Sequence, residues 1–545
     1  MKHTTGALEL IGGPMFSGKC LGENTPILMY DGNIKMVQDI VQGDVIMGDD
    51  SLPRNIISVC SGESELFQVV PEFGDPYIIN EYHILSLKCS YAPPKYENTV
   101  NPKYKKGKII NISVKDYLKE SNTFRSYYKG YKVGIEFKYE PVPLDPYILG
   151  LWLGDGTSLE PEFTTVDREI LDAVRLYADE IGLIVKNKSD ITYRITNGTL
   201  GHKNPFIDVL RLLNVHGNKH IPLLYKANSR QIRLALLAGL LDTDGYYDVK
   251  GHSYQIVQKS KILADDILFL ARSLGFVAYQ RGIEKYCIYK GEKRYGSYYN
   301  VHISGSLMHE IPCRLERKKA IPHINRNELL VGISVKSIGF GKYFGFEIDG
   351  NHLFLLGDFT VTHNTTELLR RLSCDLSIGR KILYINHSLD TRSKEPYSTH
   401  NPLYKEKLDT LSGIRMINCS SLPPLETIVE FNTIGIDEAQ FFEELREVQN
   451  YVEKGKKRVI ISGLISDAKR EKFGHIIDLI HIADTYTQLC ASCVICVNET
   501  SDVIPAIFTH RIAGTPRGQI DLGGSDKYIP VCRKHYIQFN TPLEE

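Results

Sequence analysis

The stretch GPMFSGKC, Gly13 to Cys20, follows the spacing of a phosphate-binding loop, G-x-x-x-x-G-K-[ST], up to its last position and then ends in a thiol. That loop needs a hydroxyl after the lysine to hold Mg²⁺, so a chain that keeps Cys20 in this place leaves it incomplete. Much later the chain reads FLLGDFTVTHNTTELLRR, Phe354 to Arg371, where Thr365 opens an amphipathic segment that looks like the start of a helix. Joining Lys19 to Thr365 gives ELIGGPMFSGKTTELLRR: short apolar strand, glycine turn, lysine and threonine, then helix. In that context backbone N–H groups at a helix start cradle phosphate. The 345 residues from Cys20 to Asn364 therefore read as an insertion that splits the loop.

The totals agree with a chain of several parts. Its 545 residues exceed the roughly 100–200 of one domain. With 65 basic and 65 acidic residues and 42% hydrophobic residues, it is neither a disordered chain nor a polycationic nucleic-acid binder. No apolar run reaches the roughly 18 residues that span a bilayer, and MKHTTGALELIGG has no signal-peptide core. A cytoplasmic protein with no membrane partner is expected. The cysteines are odd in number, 11, and four crowd the C-terminal region, which suggests free thiols and a metal site over a disulfide framework.

The inserted piece begins with Cys20 and ends in His363-Asn364, and the next residue is Thr365, the junction chemistry of an intein. Its opening CLGENTPILMYDGNIKMVQDIVQGDVIMGDD, the block NEYHILSL with Asn80-x-x-His83, and the closing YFGFEIDGNHLFLLGDFTVTHN resemble intein splicing blocks in the expected order. Chemically, the Cys20 Sγ can attack the Lys19 carbonyl and form a thioester. The resemblance implies that Asn80 and His83 polarise and protonate that amide. Thr365 Oγ would then take over the N-terminal piece. Asn364 would cyclise to release the insert, with His363 and His352 assisting proton transfer.

Inside the insert lie ILGLWLGDG, Ile148 to Gly156, and LAGLLDTDG, Leu237 to Gly245. Each reads as a short apolar helix with small residues for close helix–helix approach, ending in an acid followed by a helix-terminating glycine. They resemble the paired motifs of LAGLIDADG homing endonucleases. The resemblance implies that Asp155 and Asp244 share divalent metal, Mg²⁺, at the scissile phosphates of double-stranded DNA, with Lys259 as a basic residue near the reaction centre. NKHIP, Asn218 to Pro222, matches a further block of the family. The plain alternative is a pair of core helices.

The rejoined host, residues 1–19 and 365–545, has 200 residues. Its apolar run Thr433–Ile436 ends in Asp437 and Glu438, which offers one carboxylate for a metal and one as a general base. With IDEAQFF, DTRS and a C-terminal cysteine pattern, the host resembles type II thymidine kinases over nearly all of its length. That resemblance implies ATP, Mg²⁺ and thymidine. Gly13, Pro14, Met15, Phe16, Ser17, Gly18 and Lys19 would wrap the phosphates, with Thr365 on Mg²⁺ and Asp437 and Asp390 beside the nucleotide. Glu438 would take the proton of the 5′-hydroxyl, and Arg392 would stabilise charge on the transferred group. Phe441 and Phe473 match aromatics of the base pocket, and Tyr528 matches one on the loop that closes over the base. Ala468 stands where family members carry a second pocket phenylalanine. A homotetramer of the spliced enzyme is implied.

Cys493-x-x-Cys496 and Cys532-x-x-His535 form two short-spaced pairs of soft donors, as a structural tetrahedral Zn²⁺ needs. Cys490 offers a competing pair with Cys493. The expected architecture is multidomain. Residues 1–19 and 365–485 form an α/β P-loop kinase unit with a RecA-like parallel sheet, and 486–545 a small zinc-binding lasso domain. Residues 20–140 and 325–364 form an all-β Hint splicing domain, and 141–324 an inserted α+β LAGLIDADG endonuclease domain. Two rivals stay open: a permanent insertion with a DNA-binding module, and a spliced P-loop kinase or ATPase of other specificity.

Overall fold

The computed structural model describes residues 6–12, 20–80, 83–91, 104–198, 204–289, 292–323, 329–349, 351, 353–363, 368, 371–372, 375–376, 379–389, 414–488, 491–493, 495–496, 504–512 and 527–540. Three large cores are present, one for the host and two for the insert.

The host forms a six-stranded sheet in the order Ile414–Cys419, Ile382–His387, Thr433–Ile436, Arg458–Gly463, Ala7–Gly12 and Thr485–Gln488. All its pairings are parallel. Such a sheet is covered on both faces, which is why Ile382–His387 and Thr433–Ile436 are buried throughout and read as continuous apolar runs rather than alternating ones. Ala7–Gly12, which precedes the insert, lies in register with strands that follow it by more than 400 residues: Leu10 pairs with Ile461 and with Tyr486. On the far side of the insert, Leu368 and Leu372 pack with Ile11, Ile382, Tyr384 and Ile460. Arg371 donates to Glu9 at 2.7 Å and to Thr487 at 2.9 Å, and Arg458 bridges Glu9 at 2.7 Å and Asp375 at 2.6 Å. The two host segments are thus folded together while the insert is still in place. The strand Thr485–Gln488 corrects the expected boundary at 485/486, which would cut it. Its sequence, TYTQ, has no apolar run to mark it as part of the host sheet.

The splicing unit is built from antiparallel sheets. Pro53–Pro71 and Ile333–Ile348 form its longest ladder, from Ile56↔Ile348 to Pro71↔Ile333, with Leu21–Gly22 and Tyr77–Asn80 alongside. A second sheet joins Ile84–Cys89, Tyr128–Tyr131, Val361–His363 and Leu353–Leu355. It is not purely β: Val114–Tyr117 and Asn122–Tyr127 are short helices, capped by Ser113 and Ser121 side chains that accept from Asp116 N and Phe124 N.

The remaining unit repeats itself. Helix Pro146–Asp155 leads to a three-stranded sheet with helix Arg168–Glu180, and helix Arg230–Asp244 leads to a four-stranded sheet with helix Lys261–Ser273. The fully buried Arg233 fastens it to the splicing unit, donating to Ile135 O at 2.7 Å, Ser273 O at 2.9 Å and Asn228 O at 2.7 Å. Arg272 adds a bond to Asp75 at 2.9 Å. Among the described residues no helix is long and apolar enough to cross a membrane.

Candidate functional site

The two ends of the insert meet at one turn. Cys20 is fully buried, and its N–H, which belongs to the Lys19–Cys20 amide, donates to Asn80 Oδ1 at 3.3 Å, while Asn80 N–H donates to Cys20 O at 3.1 Å. His83 N–H donates to Asn80 O at 3.1 Å, which closes the Asn80-x-x-His83 turn. The next residue, Ile84, pairs with His363, so the described residues beside the two junctions, Cys20 and His363, bond to Asn80 and Ile84. His83 Nε2 shares a 2.7 Å hydrogen bond with Thr362 Oγ1, and both residues are buried. The two residues thus differ in what they offer the amide. Asn80 presents an acceptor oxygen and orients the amide, whereas only His83 can deliver a proton. Lys19, His352, Asn364 and Thr365 lie outside the described residues.

In the repeated unit, Gly150 and Gly239 let the two motif helices touch backbone to backbone. A Cβ on Gly150 would come within 2.3 Å of Leu236 O, and one on Gly239 within 2.2 Å of Tyr147 O. Asp155 and Asp244 are the last residues of their helices. The following glycines are not left-handed caps. Gly156 and Gly245 are extended, with φ −75° and −77°, and are required because a Cβ would strike Trp152 O at 2.5 Å and Leu241 O at 2.6 Å. The Asp155 carboxyl is pushed up to about 6, by burial first and then by the charge of Asp244. An acid at the end of one helix that feels the charge of the acid at the end of the other suits a divalent cation between them.

The cations whose charge reaches Asp155 are Lys318 and Lys219. Lys259 stands exposed just past the strand Ser253–Gln258, and its neighbour Gln258 donates to Asp244 at 2.7 Å. Lys219 Nζ donates to Gly154 O at 3.0 Å and Gly156 O at 2.7 Å, and burial lowers its pKa to about 8. Lys318 Nζ donates to Leu241 O, Asp242 O and Thr243 O at 2.7–2.9 Å. Each motif helix thus has a lysine on its last carbonyls, where the helix dipole is negative. The signal was a repeat, K-H-I-P at Lys219–Pro222 and K-A-I-P at Lys319–Pro322. Aligned naively it points to Lys319, one residue away from the lysine that makes the contact.

In the host, Asp437 follows the strand Thr433–Ile436, accepting from Tyr384 OH at 2.8 Å and from Glu438 N at 3.1 Å. Glu438 has φ 48°, a left-handed conformation uncommon for a non-glycine residue. Its carboxylate accepts from Gln440 Nε2 at 2.6 Å. Phe441 meets Phe473 edge-on at 5.7 Å and His387 at 5.6 Å, so the two predicted pocket aromatics are neighbours. Ala468 lies on a turn whose carbonyl accepts from Tyr536 OH at 2.8 Å. Tyr528 stands at the start of the strand Tyr528–Val531, not on a loop, with Arg511 over its ring. Gly13, Pro14, Met15, Phe16, Ser17, Gly18, Asp390 and Arg392 lie outside the described residues.

Cys493, Cys496, Cys532 and His535 are all buried, and their donor atoms lie within 4.8 Å of one another. His535 Nδ1 is 3.2 Å from the sulfurs of Cys493 and Cys496 and 3.5 Å from that of Cys532, and Cys496 and Cys532 are 3.8 Å apart. A tetrahedron with Zn–S of about 2.3 Å has S···S edges of about 3.8 Å, so the four residues fit the ion. Cys490 lies outside the described residues.

Three family models match the chain: thymidine kinase at residues 359–536, the Hint domain associated with homing endonucleases at 20–127, and a LAGLIDADG-like domain at 231–310. Thymidine kinase a of Arabidopsis thaliana is 38% identical over 184 residues, covering 32% of this chain and 69% of that protein. The thymidine kinase of Fowlpox virus is 35% identical, over 32% of this chain and 90% of its own, and that of Variola virus 31%, over 35% and 99%. A solved structure of the homing endonuclease I-DmoI with DNA and Ca shares 17% identity, over 31% of this chain and 87% of its own, at a TM-score of 0.22.

Proposed function

Because this chain belongs to the thymidine kinase family, interrupted by an intein with a LAGLIDADG domain, we propose that it is a precursor whose self-splicing creates the kinase. Cys20 Sγ attacks the Lys19 carbonyl, the amide nitrogen leaves as an amine that receives its proton from His83, and a thioester links Lys19 to Cys20. Thr365 Oγ displaces that sulfur to give an ester. The Asn364 side-chain amide attacks its own carbonyl, breaking the Asn364–Thr365 bond and freeing the intein as a succinimide. The Thr365 amine then takes the acyl group from its own oxygen, leaving a Lys19–Thr365 peptide. His363 and His352 serve the C-terminal step. The observation that carries the reading is the convergence of Cys20 and His363 on the Asn80–Ile84 turn.

The ligated loop, Gly13 to Lys19 and Thr365, would bind ATP as a P-loop of RecA-like type. Consistent with that type, one strand, Arg458–Gly463, separates the loop's strand from Thr433–Ile436, which Asp437 follows. Glu438 takes the proton of the thymidine 5′-hydroxyl as it attacks the γ-phosphate, giving dTMP. General-base catalysis of this kind contributes roughly 10²–10⁴-fold. Thr365 and Asp437, with Asp390 nearby, would hold Mg²⁺, which neutralises charge on the phosphates, and Arg392 would stabilise the transferred group. Phe441, Phe473 and Tyr528 would line the base, in a homotetramer located in the cytoplasm. The zinc-binding module of Cys493, Cys496, Cys532 and His535 pins the C-terminal region onto the host through Tyr536 and Ala468. In the intein, Asp155 and Asp244 would hold Mg²⁺ for DNA cleavage, with Lys219 and Lys318 beside them.

Intact mass spectrometry tests the splicing. The chain should yield two products, residues 20–364 and the ligated 200-residue host, and only the host should phosphorylate thymidine with ATP. A Cys20→Ala, Asn364→Ala chain should remain whole and inactive. Full thymidine phosphorylation by that uncut chain would overturn the reading.

A further inference from the structure

We propose that Gln440 is the positioning residue of the kinase base, holding the Glu438 carboxylate in line with the nucleoside hydroxyl. The inference rests on the reading of Glu438 as that base. Gln440 is almost fully buried, and both ends of its amide are engaged. Oε1 accepts from Leu464 N–H at 3.0 Å, which leaves Nε2 turned toward Glu438, where it donates to Oε2 at 2.6 Å. The backbone donor therefore fixes which way round the amide sits, and a carboxylate can use only the end that carries hydrogens.

The seat of Gln440 is built for it. A Cβ on Gly463 would come within 2.4 Å of Gln440 Oε1, and one on Gly474, whose φ is 62°, within 2.2 Å of Gln440 O. Glu438 itself is held in a left-handed backbone conformation between a buried strand and the turn Ala439–Phe441. Such conformations persist where the surroundings enforce them, and they cluster at functional sites. Asp437 is fixed separately, by Tyr384 of the strand Ile382–His387, so the two acids are held by different elements. Gln440 bonds one oxygen of Glu438 and thereby sets the direction of the other, the oxygen that meets the substrate.

The test uses the kinase released from the full-length chain. Gln440→Leu removes the donor, and Gln440→Glu keeps the shape and the bond from Leu464 N–H while replacing the donor by an acceptor. Both should lower kcat by roughly 10- to 100-fold, the loss expected for one hydrogen bond to a charged group, with KM for thymidine nearly unchanged. In a Glu438→Ala background, Gln440→Leu should make no further difference to kcat, because nothing is left to position. Equal losses in both backgrounds would show a merely structural role and overturn the proposal, as would full kcat in Gln440→Glu. Full kcat in Glu438→Ala alone would overturn the reading of Glu438 itself and the proposal with it.

Discussion

The host and the splicing unit are both assembled from two segments far apart in the chain, and they close in opposite ways. The host closes through parallel pairing of Ala7–Gly12 with Arg458–Gly463 and Thr485–Gln488, sealed by the partly buried cluster of Glu9, Arg371, Arg458 and Asp375. The splicing unit closes through the long antiparallel ladder of Pro53–Pro71 with Ile333–Ile348, and through Asp358, which is buried on Lys132 and near Arg272. In the splicing unit the closure places Cys20 on Asn80 and His363 on Ile84. In the host it joins strands from both sides of the insert into one sheet, while the sequence of the phosphate loop is divided between the two segments. An insertion costs a fold little when its own ends are adjacent, since loop closure depends only weakly on length. The host can therefore be nearly complete as a structure and still lack its chemistry.

If the two closures are independent, lesions in one should leave the other alone. The largest effect is expected from Cys532→Ser, which removes one donor of the buried four-residue cluster. The zinc module should unfold, as metal-dependent folds do, and thymidine phosphorylation should fall sharply, while splicing proceeds at its normal rate by mass spectrometry. Next comes Asp358→Asn, which leaves the Lys132 ammonium buried without its counter-charge. It should cost about 3–5 kcal/mol in the melting transition of the splicing unit, read by calorimetry on a Cys20→Ala, Asn364→Ala chain, with the host transition unmoved.

The same carboxylate sets a pH dependence. Burial would raise its pKa, but Lys132 and Arg272 outweigh burial and hold it down at about 2. The group therefore stabilises the fold fully above the ordinary carboxylate range, and that contribution is lost as pH falls from about 4 through about 2. The acid limb of the splicing-unit transition should flatten in Asp358→Asn.

Glu9→Gln is expected to cost about 1–3 kcal/mol in the host transition, by weakening its bonds to Arg371 and Arg458, with no shift in the splicing unit. The smallest effect belongs to the third unit. Lys318→Met removes the donor to three helix-terminal carbonyls and should cost about 1 kcal/mol there, with lowered DNA cleavage in Mg²⁺ and no change in splicing. Should Asp358→Asn and Glu9→Gln each move both transitions, the host and the splicing unit form one cooperative body, and the contrast between them fails.

Much of this was legible in the sequence because it is local. The two phosphate-loop fragments, the Cys–x–x–Cys and Cys–x–x–His pairs, the Asn80-x-x-His83 spacing and the two acid–glycine endings each lie within a few residues, and their residue types limit their chemistry. What escaped depends on partners far along the chain. Thr362 lies 279 residues from His83, Lys318 more than 70 from the carbonyls it caps, and Gln440 is two residues from Glu438 but is oriented by Leu464. The extended backbone of Gly156 and Gly245 also escaped, because a glycine after a helix reads the same whether it serves a left-handed turn or a close approach.

By itself the sequence determined which reactive groups exist and that the segments ending at Lys19 and starting at Thr365 together spell one phosphate loop, since covalent order and side-chain chemistry are properties of the chain. Only the tertiary structure decided that Asn80 accepts from the Lys19–Cys20 amide while His83 faces Thr362, and that Lys219 and Lys318 lie on the end carbonyls of the motif helices while Lys259 stands exposed. It also decided that the host sheet runs on to Gln488. A hydrogen bond has a direction and a reach of about 3 Å, and which atoms come within that reach is set by strand register and burial, which no local pattern encodes.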